Sequence, residues 1–271
     1  MQAPDLIKTG DLDGALAALQ AQVRTRPADA KLRIFLFQLL CVLGDWKRAI
    51  TQLKLCAELD GEALTMAQTY REAIICEVYR EKVFAGEKSP LIFGEPQEWL
   101  ALLIEATRAL AEGRATEAAT LRARAFEAAP AASGDLNGEH FDWIADADMR
   151  LGPVLEIIVN GKYYWMPFTA LSALRCDAPS DLRDAVWTPA NITLRNGGEI
   201  VGLIPTRYAG TSASTDPAAR LARATHWVDA GGETWVGIGQ RLLTTDHGDT
   251  ALMDLRALRM DAAPGAARGD G

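Results

Sequence analysis

Apolar residues recur at three- and four-residue spacing through the first half of the chain and in short alternating runs through the second. The first pattern predicts amphipathic helices over residues 12–25, 29–43, 46–59, 62–85, 97–111 and 114–128. Residues 34–43 (Ile-Phe-Leu-Phe-Gln-Leu-Leu-Cys-Val-Leu) are apolar nearly all round, which predicts a central helix buried between neighbours. The long helix over 62–85 is expected to stop at Gly86, and Pro90, Gly94 and Pro96 mark a loop over 87–96.

The helices carry a repeat. Gly10-Asp11 and Gly44-Asp45 stand 34 residues apart, and Gly113-Arg114 follows 69 residues later, close to two more periods. Alanine stands five residues after each glycine, at Ala15, Ala49 and Ala118, and leucine nine residues after the first two, at Leu19 and Leu53. Pro27 and Pro130 each fall 17 residues after their glycine. A period of about 34 residues with glycine, small alanine and proline is the pattern of tetratricopeptide-like helix pairs. Glycine turns the chain, alanine lets the paired helices approach, and proline ends the second helix.

The second half opens with Val154–Val159 and Lys162–Met166 around Asn160-Gly161, a dipeptide suited to a type I′ hairpin. Further pairs are predicted near 190–195 and 199–204, and near 225–229 and 233–240, with a last strand within 251–260. Short helices are expected at 168–174 and 217–222. The fold class is therefore α+β: a TPR-like helical stack, then six or seven strands in a mainly antiparallel small sheet or part-open barrel. The expected division is a helical domain over 1–135, a β-rich domain over 136–261 and a disordered tail over 262–271.

Charge narrows the function. The chain has 28 basic and 36 acidic side chains, a net of −8, with −4 in residues 1–139 and −4 in 140–271. Neither half offers the basic stripe that nucleic acid or an anionic membrane surface requires, so neither is an expected partner. No apolar run is long enough for a transmembrane helix, and the N-terminus predicts no secretory signal. Cys41, Cys56, Cys76 and Cys176 form no Cys-x-x-Cys pair, which fits buried free thiols in a reducing cytoplasm.

Candidate chemistry is sparse. The chain has no phosphate loop, dinucleotide fingerprint, His-Glu-x-x-His or nucleophile elbow, and no cofactor is expected. Asp142, Asp146 and Asp148 could supply hard oxygen ligands to a cation, so a metal-assisted enzyme is one reading. The structural reading makes Asp142, Trp143, Asp146, Asp148, Arg150 and Arg183 a domain junction. Asp142 and Asp146 would cap a short helix there, and Asp148 would pair with Arg150 or Arg183. Gly237-Ile238-Gly239 suggests a strand bend rather than a phosphate cradle. A helical-pair stack also offers a concave groove for a partner helix, with Arg33, Gln38, Tyr70, Glu77 and Arg80 as its candidate contacts. On that pattern alone, a general peptide-binding repeat module is open as well.

Residues 141–153 (Phe-Asp-Trp-Ile-Ala-Asp-Ala-Asp-Met-Arg-Leu-Gly-Pro), 181–187, 204–208 and 239–246 resemble the ImpE/SciE family, also called TagJ, of type VI secretion accessory proteins. Gly44-Asp45-Trp46 and Val83-Phe84-Ala85-Gly86 extend the resemblance to roughly residues 5–260. It implies a cytoplasmic, non-enzymatic adaptor. Its implied partners are the small subunit of the contractile sheath, through that subunit's N-terminal helix, and the AAA+ ATPase that disassembles the contracted sheath. The resemblance carries no catalytic residues.

Overall fold

A computed structural model describes residues 2–262; the expected tail lies outside them except for Ala262. Helices fill the first half: α1 (Ala3–Thr9), α2 (Leu12–Thr25), α3 (Ala30–Leu43), α4 (Trp46–Leu59), α5 (Leu64–Phe84), α6 (Glu98–Ala111) and α7 (Ala115–Ala128). The repeat has a physical basis at each turn. Gly10 and Gly44 close α1 and α3 in the left-handed region, at φ 85° and 73°. The aspartate after each caps the next helix, Asp11 accepting from the Gly14 N–H and Asp45 from the Arg48 N–H. Gly113 turns α6 into α7 in the same way at φ 78°, but Arg114 replaces the aspartate and α7 has no side-chain cap. Ala15, Ala49 and Ala118 are buried where the paired helices meet.

The strands are β1 (Leu91–Ile92), β2 (Gly134–Leu136), β3 (Glu139–Phe141), β4 (Ile144–Asp146), β5 (Val154–Val159), β6 (Lys162–Pro167) and β7 (Leu171–Cys176). They continue as β8 (Trp187–Leu194), β9 (Glu199–Pro205), β10 (Thr225–Asp229), β11 (Trp235–Gly239), β12 (Leu242–Thr245), β13 (Gly248–Ala251) and β14 (Ala257–Met260). A short helix, α8 (Pro217–Arg220), precedes β10. The main sheet runs β1-β6-β5-β9-β8-β7-β14-β2-β3, antiparallel except where β1 joins β6. β1 and β3 are its open edges, so it does not close into a barrel. β10-β11 form a separate hairpin and β13-β12-β4 a small third sheet.

The Asn160-Gly161 hairpin has positive φ at both residues, as a type I′ turn requires. Two expectations are corrected. The helix over 168–174 is one 3-10 turn, Phe168–Ala170, followed by strand β7, because residues 171–176 bond on both sides, to β8 and β14. The short helix expected at the 142–150 junction is strand β4 and a tight turn, because β4 pairs with β12.

One hydrophobic core joins Leu40, Ile74 and Leu103 of the helices to Val154, Trp165 and Trp187 of the sheet. A second core, around Ile157, Phe168, Leu174 and Leu258, fills the other side of the sheet. Every residue of β5 is buried because both of its faces are covered. Arginines from the second half then close the helix ends. Arg207 donates to the carbonyl of Val42 (2.9 Å) and Arg220 to that of Leu43 (3.1 Å) at the end of α3, while Arg223 donates to Ile7 (3.2 Å) and Lys8 (3.1 Å) in α1. Cations there satisfy orphan carbonyls and oppose the negative end of the helix dipole.

Candidate functional site

The densest chemistry of the molecule lies where α5 meets the sheet. Arg80 on α5 donates from Nε to Glu156 Oε1 (2.6 Å) and from Nη2 to Glu156 Oε2 (2.8 Å), a bidentate pair between two buried side chains. Glu156 on β5 also accepts from Tyr163 and from Arg241, and Arg241 in turn holds Asp146 of β4. Glu77, one turn before Arg80, accepts from Arg80 Nη1 (3.2 Å) and from Trp187 Nε1 (3.1 Å). Asp148 holds Arg150 through both oxygens and accepts the Gly237 N–H (2.9 Å). The sequence brings these groups together because α5 puts positions 77 and 80 on one face, while β5 and β6 present Glu156 and Tyr163 on the side of the sheet turned toward the helices.

Burial raises the Glu156 carboxyl, but Arg80 and Arg241 together pull it down further, to about 2. Burial dominates at Asp146, which is raised to about 7 in spite of Arg241, and it raises Glu77 as well. The sign of the Glu156 effect is fixed by linkage. Its folded pKa lies below its ordinary 4.5, so it contributes stability above pH 4.5 that is lost as pH falls toward 2. The loss expected from this one group is about 3 kcal/mol. Asp146 acts in the opposite sense, its contribution falling as pH rises from 3.8 to about 7. Melting midpoints measured from pH 2 to 5 are expected to fall steeply below 4.5 in the native chain and to show a shallower slope in Glu156→Gln.

The structure separates the sequence-predicted residues into three groups. Arg33 stays inside the helical stack, donating to the Pro27 carbonyl (2.6 Å) and to Gln52 (3.1 Å). Gln38, Tyr70, Glu77 and Arg80 are buried, so they line no open groove. Tyr70 packs on Phe37 and Trp187, with ring centres 5.8 and 5.6 Å away, under the Arg183 guanidinium. The expected partner groove on this face is corrected: the chain's own sheet fills it. Only a crevice of about 20 Å³ remains beside Glu77, Arg80 and Arg207, room for roughly one water.

At the junction, Asp148 pairs with Arg150, while Asp146, read from the sequence as a helix cap, lies in strand β4 and pairs with Arg241. Asp142 is exposed, and its backbone N–H donates to Asp246 (2.9 Å). The three carboxylates therefore do not converge on one point. Arg183 chelates Asp181 rather than Asp148, and Trp143 stands exposed beside β4. Among the described residues, the side chains whose metal-type ligand atoms do converge are the surface residues Asp135, His140 and Asp261. Sequence reasoning missed Glu156, Tyr163, Arg207 and Arg241. The one signal for Glu156 was a carboxylate in the middle of the apolar run Val154–Val159. Arg241 falls in the family-like segment 239–246 but nothing local showed its pairing, since its acidic partners lie 85 and 95 residues away.

Three comparisons bear on this arrangement. The family model described as "ImpE protein" matches residues 138–259, which hold all of the network except its α5 members. A Pseudomonas aeruginosa protein named type VI secretion system accessory component TagJ is 55% identical over 258 residues, 95% of this chain and 90% of that protein. A crystal structure of a Vibrio parahaemolyticus protein, 25% identical, superposes with a TM-score of 0.88 over 97% of this chain and 98% of its own. The helical stack and the sheet are thus shared as one arrangement.

Proposed function

The chain belongs to the ImpE family, and on that premise we propose that it works as an accessory component of a bacterial type VI secretion system. It is a non-enzymatic adaptor of the cytoplasm. It holds the small subunit of the contractile sheath by that subunit's N-terminal helix and connects it to the AAA+ ATPase that disassembles contracted sheath. The observation that carries the reading is the 55% identity, over nearly the whole chain, to a protein named as such an accessory component. The site chemistry supports it. The buried carboxylates Glu77, Asp146, Asp148 and Glu156 each hold an arginine of the same chain, an arrangement that fixes shape. No helix among the described residues is long and apolar enough to cross a membrane.

Titration of the full chain with purified sheath small subunit tests the reading. Saturable binding is expected, weakened at least about tenfold when the subunit lacks its N-terminal helix. Absence of binding, or equal binding by the truncated subunit, would count against it.

A further inference from the structure

With the concave face of the helical stack filled from within, a partner needs another surface, and the molecule has one of marked character. Trp143 is 42% exposed and Trp235 49% exposed, an unusual state for the largest apolar side chain. Between α7 and β4 lies a groove of about 410 Å³, walled mainly by apolar side chains that include Phe126, Pro130, Trp143, Met149 and Pro153. The groove continues onto the β10-β11 hairpin. The Met149 N–H donates to the Trp235 carbonyl and the Trp235 N–H donates to Met149 Sδ, both at 3.3 Å. Trp227, 37% exposed, lies on the same face of the hairpin and packs on Tyr208 with ring centres 5.8 Å apart. Tryptophan and methionine in one open, contiguous track are the residue types enriched at binding hot spots and adaptable docking surfaces.

The charges beside the track are of one sign. Asp142 adjoins Trp143 and is hydrogen-bonded to Asp246, Asp229 pairs in register with Trp235, and Glu233 stands two residues before it; all four are exposed. The arginines that reach this region are engaged elsewhere, Arg150 by Asp148 and Arg122 by Thr234 and the carbonyls of its turn. We infer that the Trp143–Met149–Trp235 groove is the docking surface for a partner's amphipathic segment whose apolar side chains fill the groove and whose Lys and Arg residues meet the acidic rim. The inference rests on the adaptor reading and gives it a surface.

The test uses the full chain and a labelled amphipathic helical peptide with leucine on one face and lysine on the other, followed by fluorescence anisotropy. A counterpart peptide carries glutamate in place of lysine. Binding of the lysine peptide is expected, with no saturable binding of the glutamate peptide. Trp143→Ser and Asp142→Lys should each weaken it at least about tenfold, while Val201→Ser, a still more exposed apolar position on the sheet, should not. Each variant's melting midpoint verifies folding, which the exposure of the three positions favours. Equal binding of the two peptides, or affinity unchanged by Trp143→Ser, overturns the inference. Purified sheath small subunit separates the two claims. If it binds the native chain and Trp143→Ser alike, the surface is wrong and the adaptor reading stands. If it does not bind the native chain at all, the adaptor reading fails, whatever the peptides do.

Discussion

Replacing Arg241 by alanine is expected to destabilise the protein by about 3–5 kcal/mol. Arg241 is wholly buried and is the cation between Glu156 and Asp146. Its Nε also donates to the Pro205 carbonyl (3.0 Å), so the truncation takes from Asp146 its only cation, from Glu156 one of its two, and from the carbonyl its arginine donor. Removing one member of a buried ionic network leaves charge without compensation, which costs more than the network as a whole contributes. The expected drop in melting midpoint is on the order of 10 °C for a chain of this size. Asp146→Asn in the Arg241→Ala background should recover part of the loss, because the two groups are directly coupled. A drop of under about 1 kcal/mol in equilibrium urea unfolding would mean that Arg241 does not hold the buried network together.

Trp187→Ala is expected to cost a similar amount, about 3–5 kcal/mol, by a different route. Trp187 is fully buried in the core shared by helices and sheet, with Tyr70 and Trp46 rings 5.6 and 6.1 Å away. Truncation opens a cavity there and withdraws the indole N–H from Glu77, a carboxylate already disfavoured by its burial. Trp187→Phe separates the two contributions. It keeps most of the ring volume and should lose about 1–3 kcal/mol, mainly the unsatisfied Glu77. Calorimetric melting of the three chains side by side is the measurement, with the order native, Phe, Ala expected. A Trp187→Phe variant as stable as the native chain would show that the hydrogen bond contributes nothing.

Local chemistry was the legible part of this fold. The turns at Gly10, Gly44 and Gly113 gave the helix pairs because positive φ and close-packed alanine, with a capping aspartate at the first two, are encoded within a few residues. The same logic contained α1: a glycine that turns the chain between paired helices implies a helix before Gly10, but seven residues are too few to show a period. Strands β2, β3 and β4 span three residues each and have no alternation to read; their existence depends on partners as distant as β14 and β12. The expected groove shows the limit most clearly. Tyr70, Glu77 and Arg80 were correctly singled out as polar or amphipathic positions on an apolar helix. Whether such a face meets a partner or the chain's own sheet depends on Glu156 and Arg207, 76 and 127 residues further on.

Hydrogen exchange of the full chain, with and without saturating sheath small subunit, separates docking on the outer groove from docking on the helical stack. Residues 70–80 are expected to be slow to exchange in the free protein already and not to change. New protection should appear over residues 143–153 and 227–235 and at the C-terminal end of α7. New protection confined to α3 and the inner face of α5, or none anywhere at saturation, would contradict docking on the outer groove.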